Sequence, residues 1–207
     1  MLVIGIAGAS GCGKTTLAEA VAKKFPNDIL ILHHDNYYRC NDHLPMEERR
    51  KINFDHPDSL ETELLVSDLR KLKRGETVIG PTYDFAACTR SKVTRTLNPC
   101  PVVIVEGILI YENQQLLDEI DVKIFRDVDA DVALARRTLR DCQPPEKHGR
   151  GYTLESSLDA YMSRVKPMFE KYVAPTRKKA DIIVSGGANP VACEMLCALA
   201  EKEIAKK

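Results

Sequence analysis

Residues 8–15 read Gly8-Ala9-Ser10-Gly11-Cys12-Gly13-Lys14-Thr15 and match G-x-x-x-x-G-K-[ST], the pattern of a phosphate-binding loop. Gly8 and Gly13 let the backbone turn tightly and approach a phosphate where a Cβ would collide. The amides of such a loop point inward and form an anion nest with the start of the next helix. Lys14 can reach the terminal phosphates, and the Thr15 hydroxyl can ligate Mg²⁺. We expect the stretch from Gly8 to Thr16 to bind a nucleoside triphosphate.

The segments around this loop predict an α/β fold. An apolar run at 2–7 is typical of a buried parallel strand, and the spacing of apolar residues at 16–24 predicts a helix. Further strands are predicted at 29–32, 101–107, 122–125 and 180–184, alternating with helices at 129–140, 153–171 and 190–204. The prediction is a P-loop nucleoside triphosphatase fold, a three-layer sandwich with a five-stranded parallel sheet, in one kinase-like domain over 1–207.

Composition restricts the possible partners. The 207 residues carry 30 Lys plus Arg and 30 Asp plus Glu, so no overall basic charge favours nucleic acid or a membrane surface. The N-terminal apolar run is too short for a signal peptide and enters the loop directly. The seven cysteines include no C-x-x-C pair, which argues against a zinc site or a disulfide framework. We expect a cytoplasmic protein that acts on small molecules.

Two acidic residues follow predicted strands at the edge of the sheet that carries the loop. Asp35 lies just past strand 29–32, where open α/β sheets bind ligands, and a carboxylate there can orient Mg²⁺ or accept a proton from an attacking hydroxyl. Glu106 ends the most apolar strand and is the expected second Mg²⁺ anchor. Adjacent residues on a strand face opposite ways, so His33 and His34 are interpreted as packing or solvent residues.

Two further segments are predicted to enclose an acceptor. Residues 36–98 form a polar, aromatic insertion, in which Ser59 is expected to cap a helix with an apolar stripe and Gly75 to end it. Strands at 77–79 and 92–97 are predicted to form a hairpin flap. Residues 137–152 contain arginines running into a Pro/Gly loop, which indicates a lid closing over phosphates, because the guanidinium fork pairs with phosphate oxygens.

Several stretches together resemble one family. They are Gly8–Thr16, Asp35-Asn36-Tyr37-Tyr38-Arg39, Asn53-Phe54-Asp55-His56-Pro57, Tyr83-Asp84-Phe85 with Arg90, Val105-Glu106-Gly107-Ile108-Leu109, Ala135–Asp141, Val165-Lys166-Pro167-Met168-Phe169 and Pro175–Val184. In this order and spacing, over most of the chain, they resemble the uridine–cytidine kinases.

The resemblance implies a homotetrameric enzyme of pyrimidine salvage that uses ATP or GTP, with Mg²⁺, to phosphorylate a ribonucleoside 5′-hydroxyl. It implies that Asp35 is the general base and that Thr15, Glu106 and Asp35 organise the metal. Lys14, Arg137 and Arg140 would be catalytic through the phosphates, with Arg150 contributing from the lid. The implied nucleoside-binding residues are Asp35, Tyr38, Phe54, Asp55, His56, Tyr83, Phe85, Cys88, Arg137, Arg140 and Arg150.

Departures from the family pattern concern the base of the acceptor. Cys88 stands where many members have a His that reads the uracil or cytosine edge, and a thiol is a weak donor and a poor acceptor. Ala160 replaces a frequent Gln, and Tyr152 replaces a second lid arginine. The longer lid, Cys142-Gln143-Pro144-Pro145-Glu146, is similar to that of nicotinamide riboside kinases. A nicotinamide riboside or other ribosyl or sugar-phosphate kinase is therefore one alternative, and a non-catalytic nucleotide-binding regulator is another.

Overall fold

The computed structural model describes residues 1–147, 149–187 and 189–206. Its strands are β1 (Leu2–Gly8), β2 (Ile29–His33), β3 (Val78–Gly80), β4 (Tyr83–Asp84), β5 (Thr89–Arg90), β6 (Arg95–Leu97), β7 (Val102–Glu106), β8 (Val122–Asp127) and β9 (Ile182–Ser185). Its α-helices are α1 (Lys14–Ala22), α2 (Met46–Arg49), α3 (Thr62–Lys73), α4 (Gln114–Asp118), α5 (Ala130–Asp141), α6 (Leu154–Ala160), α7 (Lys166–Met168) and α8 (Pro190–Ile204).

Five strands form one parallel sheet in the order β2-β7-β1-β8-β9, which confirms the predicted architecture. Strands β1, β2, β7 and β9 are mainly apolar, and β7 is buried along its whole length because it lies between β2 and β1. The register pairs Glu106 with Ile6 on one side and with His33 on the other. The carboxyl ends of β1, β2 and β7 therefore meet at one edge.

Helices cover both faces of the sheet. On one face, Leu17 and Val21 of α1 and Leu196 of α8 pack against Ile4 and Ile6. On the other face, α3 and α4 bury apolar side chains such as Leu65, Leu69 and Leu116 in a cluster with Val3 and Val103. The hydrophobic residues of the strands are thus removed from water on both sides, which is the main stabilising contribution to such a fold.

Helix boundaries agree with the predictions at most ends. Helix α8 spans the predicted residues, and α1 begins two residues early because Gly13, in a left-handed conformation with φ 89°, turns the loop directly into it. The predicted helix at 153–171 begins after Thr153, whose side chain accepts a hydrogen bond from the Ser156 amide. It is interrupted by π-helical turns at Tyr161–Val165 and Phe169–Val173.

The expected cap at Ser59 is wrong. Ser59 lies in a 3₁₀ turn, and its hydroxyl donates to the carbonyls of Phe54 and His56. The helix begins later, with Glu61 as its N-cap residue and Thr62 as its first residue. A serine hydroxyl that donates to carbonyls of its own turn is not available to accept from the helix amides, so the helix begins three residues later. Gly75, with φ +82°, follows the end of α3 as predicted.

The predicted hairpin is present as the antiparallel pair β3–β6, with Ile79 opposite Thr96. A smaller pair, β4–β5, lies inside it and places Tyr83 opposite Arg90. The predicted lid region contains a 3₁₀ turn at Pro145–Lys147, while His148 lies outside the described residues. Within the described chain, no helix combines the length and apolar character needed to cross a bilayer.

Candidate active site

The loop between β1 and α1 is packed so tightly at two glycines that neither can carry a side chain. A Cβ on Gly8, where φ is +141°, would lie 2.4 Å from the carbonyl oxygen of Arg126, and one on Gly11 would lie 2.3 Å from that of Ala133. Lys14 is almost fully buried, and its Nζ donates to the carbonyl of Ala9 at 3.0 Å. Its ammonium group therefore bridges the mouth of the loop, where an anionic ligand would be held.

Asp35 lies two residues beyond the end of β2, on a short 3₁₀ turn at the same edge of the sheet. Burial raises the pKa of its carboxyl, the negative charge of Glu106 adds to the rise, and the positive charges of Lys14 and Arg150 oppose it. A carboxylate with a raised pKa is a stronger base than one in water.

Glu106 and His33 form an ion pair at the ends of neighbouring strands. His33 Nδ1 lies 2.7 Å from Glu106 Oε1, and the Glu106 side chain is only 7% exposed. Burial would raise the pKa of Glu106, but the bond from His33 and the charge of Lys14 hold it below its ordinary value, with a hydrogen bond from Thr15 adding to the effect. The pKa of His33 is raised, because Glu106 more than offsets its burial. The interpretation of His33 as a packing or solvent residue is therefore wrong, whereas His34 is buried against Thr62 as expected.

The ionised carboxylate of Glu106 and the hydroxyl of Thr15 are hard oxygen donors, the ligands that Mg²⁺ prefers. Thr15 lies close enough to Glu106 to help lower the pKa of its carboxyl, so the two oxygen donors are neighbours. This donor set fits the predicted metal.

Arginines of α5 approach the loop from the side of β8. Arg137 Nη1 donates to Ser10 Oγ at 2.8 Å, and its Nε lies 3.3 Å from Asp141 Oδ2. Arg140 donates twice to Asp141 Oδ1, at 2.9 and 2.7 Å. The Asp141 side chain is 2% exposed, so one buried carboxylate orients both guanidinium groups.

Four aromatic rings form a cluster beside these charges. Tyr38 lies 5.2 Å from both Phe54 and Tyr83, and Tyr83 lies 5.1 Å from Phe85, measured between ring centroids. Arg150 of the predicted lid places its guanidinium 3.6 Å above the Phe85 ring, a cation–π contact. The predicted lid thus already contacts the hairpin.

A cavity of about 100 Å³ connects these groups, and we call it the acceptor cavity. The predicted site residues that line it are Ser10, Asp35, Tyr38, Phe54, Asp55, Tyr83, Phe85, Cys88, Arg137, Arg140 and Arg150. Burial raises the pKa of Asp55, and the charge of Arg137 opposes that rise. One pocket therefore presents a base, aromatic surfaces and a set of arginines.

His56 is the predicted substrate-binding residue that does not line the acceptor cavity. Its Nδ1 accepts a hydrogen bond from the Asp58 amide, and its Nε2 lies 2.8 Å from the Tyr172 hydroxyl. Both ring nitrogens are therefore occupied in fixing the turn before α3. His56 therefore holds this turn in place at a position outside the lining of the acceptor cavity.

A second, mainly apolar cavity lies behind the phosphate-binding loop and includes Gly13, Thr16, Leu17, Arg126 and Pro190 in its lining. The Arg126 guanidinium donates to the carbonyls of Gly186 and Gly187 at 3.1 and 2.6 Å, so it fixes the loop after β9. This cavity lies at the start of α1, next to the end of the phosphate-binding loop, and its apolar lining suits the base of a nucleotide.

Sequence reasoning missed His33, Asp141 and Arg126. Each acts through a partner that a linear pattern does not reveal, and His33 is 73 positions away from Glu106. Asp141 offered one signal, because an acid four residues after Arg137 on a helix forms an i,i+4 pair.

Comparison with known proteins gives a consistent result. The model of the Phosphoribulokinase / Uridine kinase family matches residues 3–191. The chain is similar to the uridine kinase of Chlamydia pneumoniae, with 45% identity over 90% of this chain and 82% of the relative. It is also similar to the uridine kinase of Macrococcus caseolyticus, with 44% identity over 94% of this chain and 93% of the relative.

Two solved structures share the fold at low identity. D-glycerate 3-kinase from Cryptococcus neoformans superposes with a TM-score of 0.65 at 19% identity, covering 89% of this chain and 86% of that one. Phosphoribulokinase from Rhodobacter spheroides gives the same TM-score of 0.65 at 15% identity, covering 89% of this chain and 69% of that one.

Proposed function

The chain belongs to the phosphoribulokinase / uridine kinase family, and we propose that it transfers the terminal phosphoryl group of ATP or GTP to the 5′-hydroxyl of uridine or cytidine. The observation that carries the proposal is the acceptor cavity, in which Asp35 at the phosphate-binding edge and an aromatic cluster face the same space. Relatives named uridine kinase, matched over most of this chain, support the acceptor.

In this proposal the nucleoside lies with its ribose toward Asp55 and its base among the aromatic rings. Asp55 accepts hydrogen bonds from ribose hydroxyls, and Tyr38, Tyr83 and Phe85 pack against the base. The ring edges and faces remove the base from water, and the carboxylate fixes the sugar. Both contacts hold the 5′-hydroxyl beside Asp35, which turns the transfer into a reaction between prepositioned groups.

Transfer forms a bond between the 5′-oxygen and the terminal phosphorus and breaks the bond from that phosphorus to the bridging oxygen. Asp35 takes the proton of the 5′-hydroxyl, and the nucleoside diphosphate leaves. The raised pKa of Asp35 favours this proton transfer. Lys14, Arg137 and Arg140 stabilise the charge that spreads over the phosphoryl oxygens.

Thr15 and Glu106, with Asp35 nearby, would hold Mg²⁺ together with the donor phosphates. When bound, the ion neutralises phosphate charge. The cavity that contains Leu17, Arg126 and Pro190 would take the donor base. Within the one domain, the insertion 36–98 binds the acceptor and residues 137–152 act as a lid. The contact of Arg150 with Phe85 joins the lid to the insertion and excludes water from the site.

We further propose, from the resemblance, a cytoplasmic homotetramer that acts in pyrimidine salvage. Light scattering after gel filtration measures its mass in solution, and a mass near that of one chain, 23.2 kDa, contradicts the tetramer.

The function is tested by release of the nucleoside diphosphate with Mg²⁺ and ATP or GTP. The acceptors are uridine, cytidine, adenosine and nicotinamide riboside. Turnover with uridine or cytidine is the expected result. Turnover with nicotinamide riboside alone would leave the proposed phosphoryl transfer in place and change the acceptor. Cys88 favours this alternative, because its thiol, 3.6 Å from the Phe85 carbonyl, offers weak hydrogen bonds to a pyrimidine edge. The absence of turnover with every acceptor supports a binding role.

We predict that His33→Ala weakens Mg²⁺ binding. His33 orients the Glu106 carboxylate through its 2.7 Å bond, and loss of such an outer partner typically lowers metal affinity by about 10- to 100-fold. The Mg²⁺ concentration for half-maximal rate should rise by that factor, and calorimetric titration of the ATP-loaded protein with Mg²⁺ should give the same shift.

The control for this prediction is His33→Gln, whose amide can donate to the same carboxylate. It should restore Mg²⁺ affinity to within a few-fold of the wild type. If His33→Ala binds Mg²⁺ as tightly as the wild type, the His33–Glu106 bond has no part in metal binding.

A further inference from the structure

A third cavity, which we call the annex, opens beside the acceptor cavity. The two share Phe85, Cys88, Arg150 and Tyr152 in their linings, whereas Asp35 and Ser10 line only the acceptor cavity. The annex therefore lies on the side away from the phosphate-binding loop. Its volume of about 370 Å³ exceeds that of the acceptor cavity.

Cys88 is the small residue among the four that the two cavities share, and Ala160 is a small residue of the annex. Cys88 has a short side chain whose thiol turns toward the Phe85 carbonyl, and Ala160 contributes a single methyl group to the annex. A larger side chain at either position would extend into this space. A substituent on the far edge of a bound base would therefore pass Cys88 to reach the annex.

The annex is strongly positive. Arg50, Arg150 and Arg164 line it, and no Asp or Glu is among its lining residues in the described chain. Two acids of this region are held by other groups: Asp84 accepts from the amides of Ala86 and Ala87, and Asp141 is bound by the arginines of α5. The charge of Arg150 also acts on Asp35, and that of Arg164 on Asp55. Within the described residues, the three annex arginines form no salt bridge.

Arg150 is stacked on Phe85 and acts on Asp35, which leaves Arg50 and Arg164 as the annex arginines whose guanidinium groups a ligand could engage. Arg164 donates to the backbone carbonyl of Arg50 at 3.3 Å, which ties the π-helical turn Tyr161–Val165 to the insertion and keeps the two arginines together. Guanidinium groups bind carboxylates through parallel, charge-assisted hydrogen bonds.

We infer that the acceptor site accepts pyrimidine ribonucleosides whose base carries a carboxylate at its far edge, position 4 or 5, with Arg50 and Arg164 binding that carboxylate in the annex. The inference rests on the proposed function, because the 5′-hydroxyl must lie at Asp35 for the far edge to face Cys88. Arg150, shared by both cavities, contacts the base itself.

The test compares carboxylates with neutral carboxamides of the same shape. The acceptors are 5-carboxyuridine against 5-carbamoyluridine, and N4-carboxymethylcytidine against N4-carbamoylmethylcytidine, with uridine and cytidine measured alongside. We expect kcat/KM to favour the carboxylate by about 10- to 100-fold in at least one pair, the range of a hydrogen-bonded charge pair. Equal or poorer use of the carboxylate in both pairs overturns the inference.

Two variants test whether the annex arginines cause the preference for carboxylates. Arg50→Gln and Arg164→Gln should each reduce the carboxylate-to-carboxamide ratio by about tenfold. Arg74→Gln, an exposed arginine paired with Glu76 at the end of α3, should leave the ratio unchanged. A ratio that survives both annex substitutions also overturns the inference, and thermal unfolding checks that each variant is folded.

The outcomes also separate this inference from the proposed function. Turnover of uridine or cytidine without a preference for carboxylates contradicts carboxylate binding in the annex and supports the proposed function. Turnover of the carboxylates alone supports the annex and revises the acceptor. The absence of turnover with every compound overturns both.

Discussion

Asp35→Asn is expected to lower kcat by roughly 10²- to 10⁴-fold, the range for loss of a general base, while binding of ATP persists. The amide has nearly the shape of the carboxylate and can remain on its 3₁₀ turn, but it cannot accept the proton of the 5′-hydroxyl. ATP binding should persist because the phosphate-binding loop and Lys14 are unchanged. Single-turnover rates and calorimetric binding of ATP measure the two effects separately.

The same substitution should not reduce stability at neutral pH. Burial raises the pKa of Asp35 above its ordinary 3.8, so the folded protein binds this proton more tightly than the unfolded chain does. The ionised carboxylate therefore destabilises the fold at neutral pH, and the wild type gains stability as pH falls through the folded pKa. The melting temperature of Asp35→Asn should exceed that of the wild type at pH 7, and the difference should shrink as the pH is lowered.

A matched control is Asp58→Asn, which removes a carboxylate from the same insertion but from a side chain that is 92% exposed. It should change neither kcat nor the melting temperature appreciably. Near-normal turnover of Asp35→Asn would remove Asp35 from proton transfer. Lower stability of that variant at pH 7 would contradict the electrostatic account of its site.

The sheet could be predicted from sequence because the residues that define each strand and turn are close together in the chain. The apolar runs of β1 and β7 are continuous, and the glycines of the phosphate-binding loop fix the turn between β1 and α1. Predictions were poorer where two local interactions compete. Ser59 can cap a helix or close a turn, and only the positions of the Phe54 and His56 carbonyls decide which it does.

For the site, strand ends could be predicted but side-chain pairing could not. Asp35 and Glu106 follow apolar runs, so their placement at one edge follows from parallel topology. The bond from His33 to Glu106 depends on β2 lying next to β7, and the sequence of neither strand indicates that the two are neighbours. The annex likewise combines residues from the insertion, from the predicted lid and from the helix that follows the lid, and these segments meet only in the folded chain.

Arg137→Ala is expected to lower kcat by about 10³-fold or more, as when an arginine that stabilises a transferring phosphoryl group is lost. Arg137 lies between the acceptor site and the phosphate site, because it lines the acceptor cavity and donates to Ser10 of the phosphate-binding loop at 2.8 Å. Its positive charge therefore lies where negative charge spreads during transfer. Since that charge increases in the transition state, kcat should fall much more than KM for uridine rises.

Arg137→Lys separates charge from geometry. Lysine retains the charge but not the planar fork that contacts Ser10 and Asp141 together, so its kcat should lie between those of Arg137→Ala and the wild type. Both variants should remain folded, because Arg140 still donates twice to the buried carboxylate of Asp141. Arg74→Ala, which removes an exposed arginine paired with Glu76, is the control for loss of positive charge. A kcat of Arg137→Ala within tenfold of the wild type would show that Arg137 positions the loop and that the charge of the transition state is stabilised by other groups.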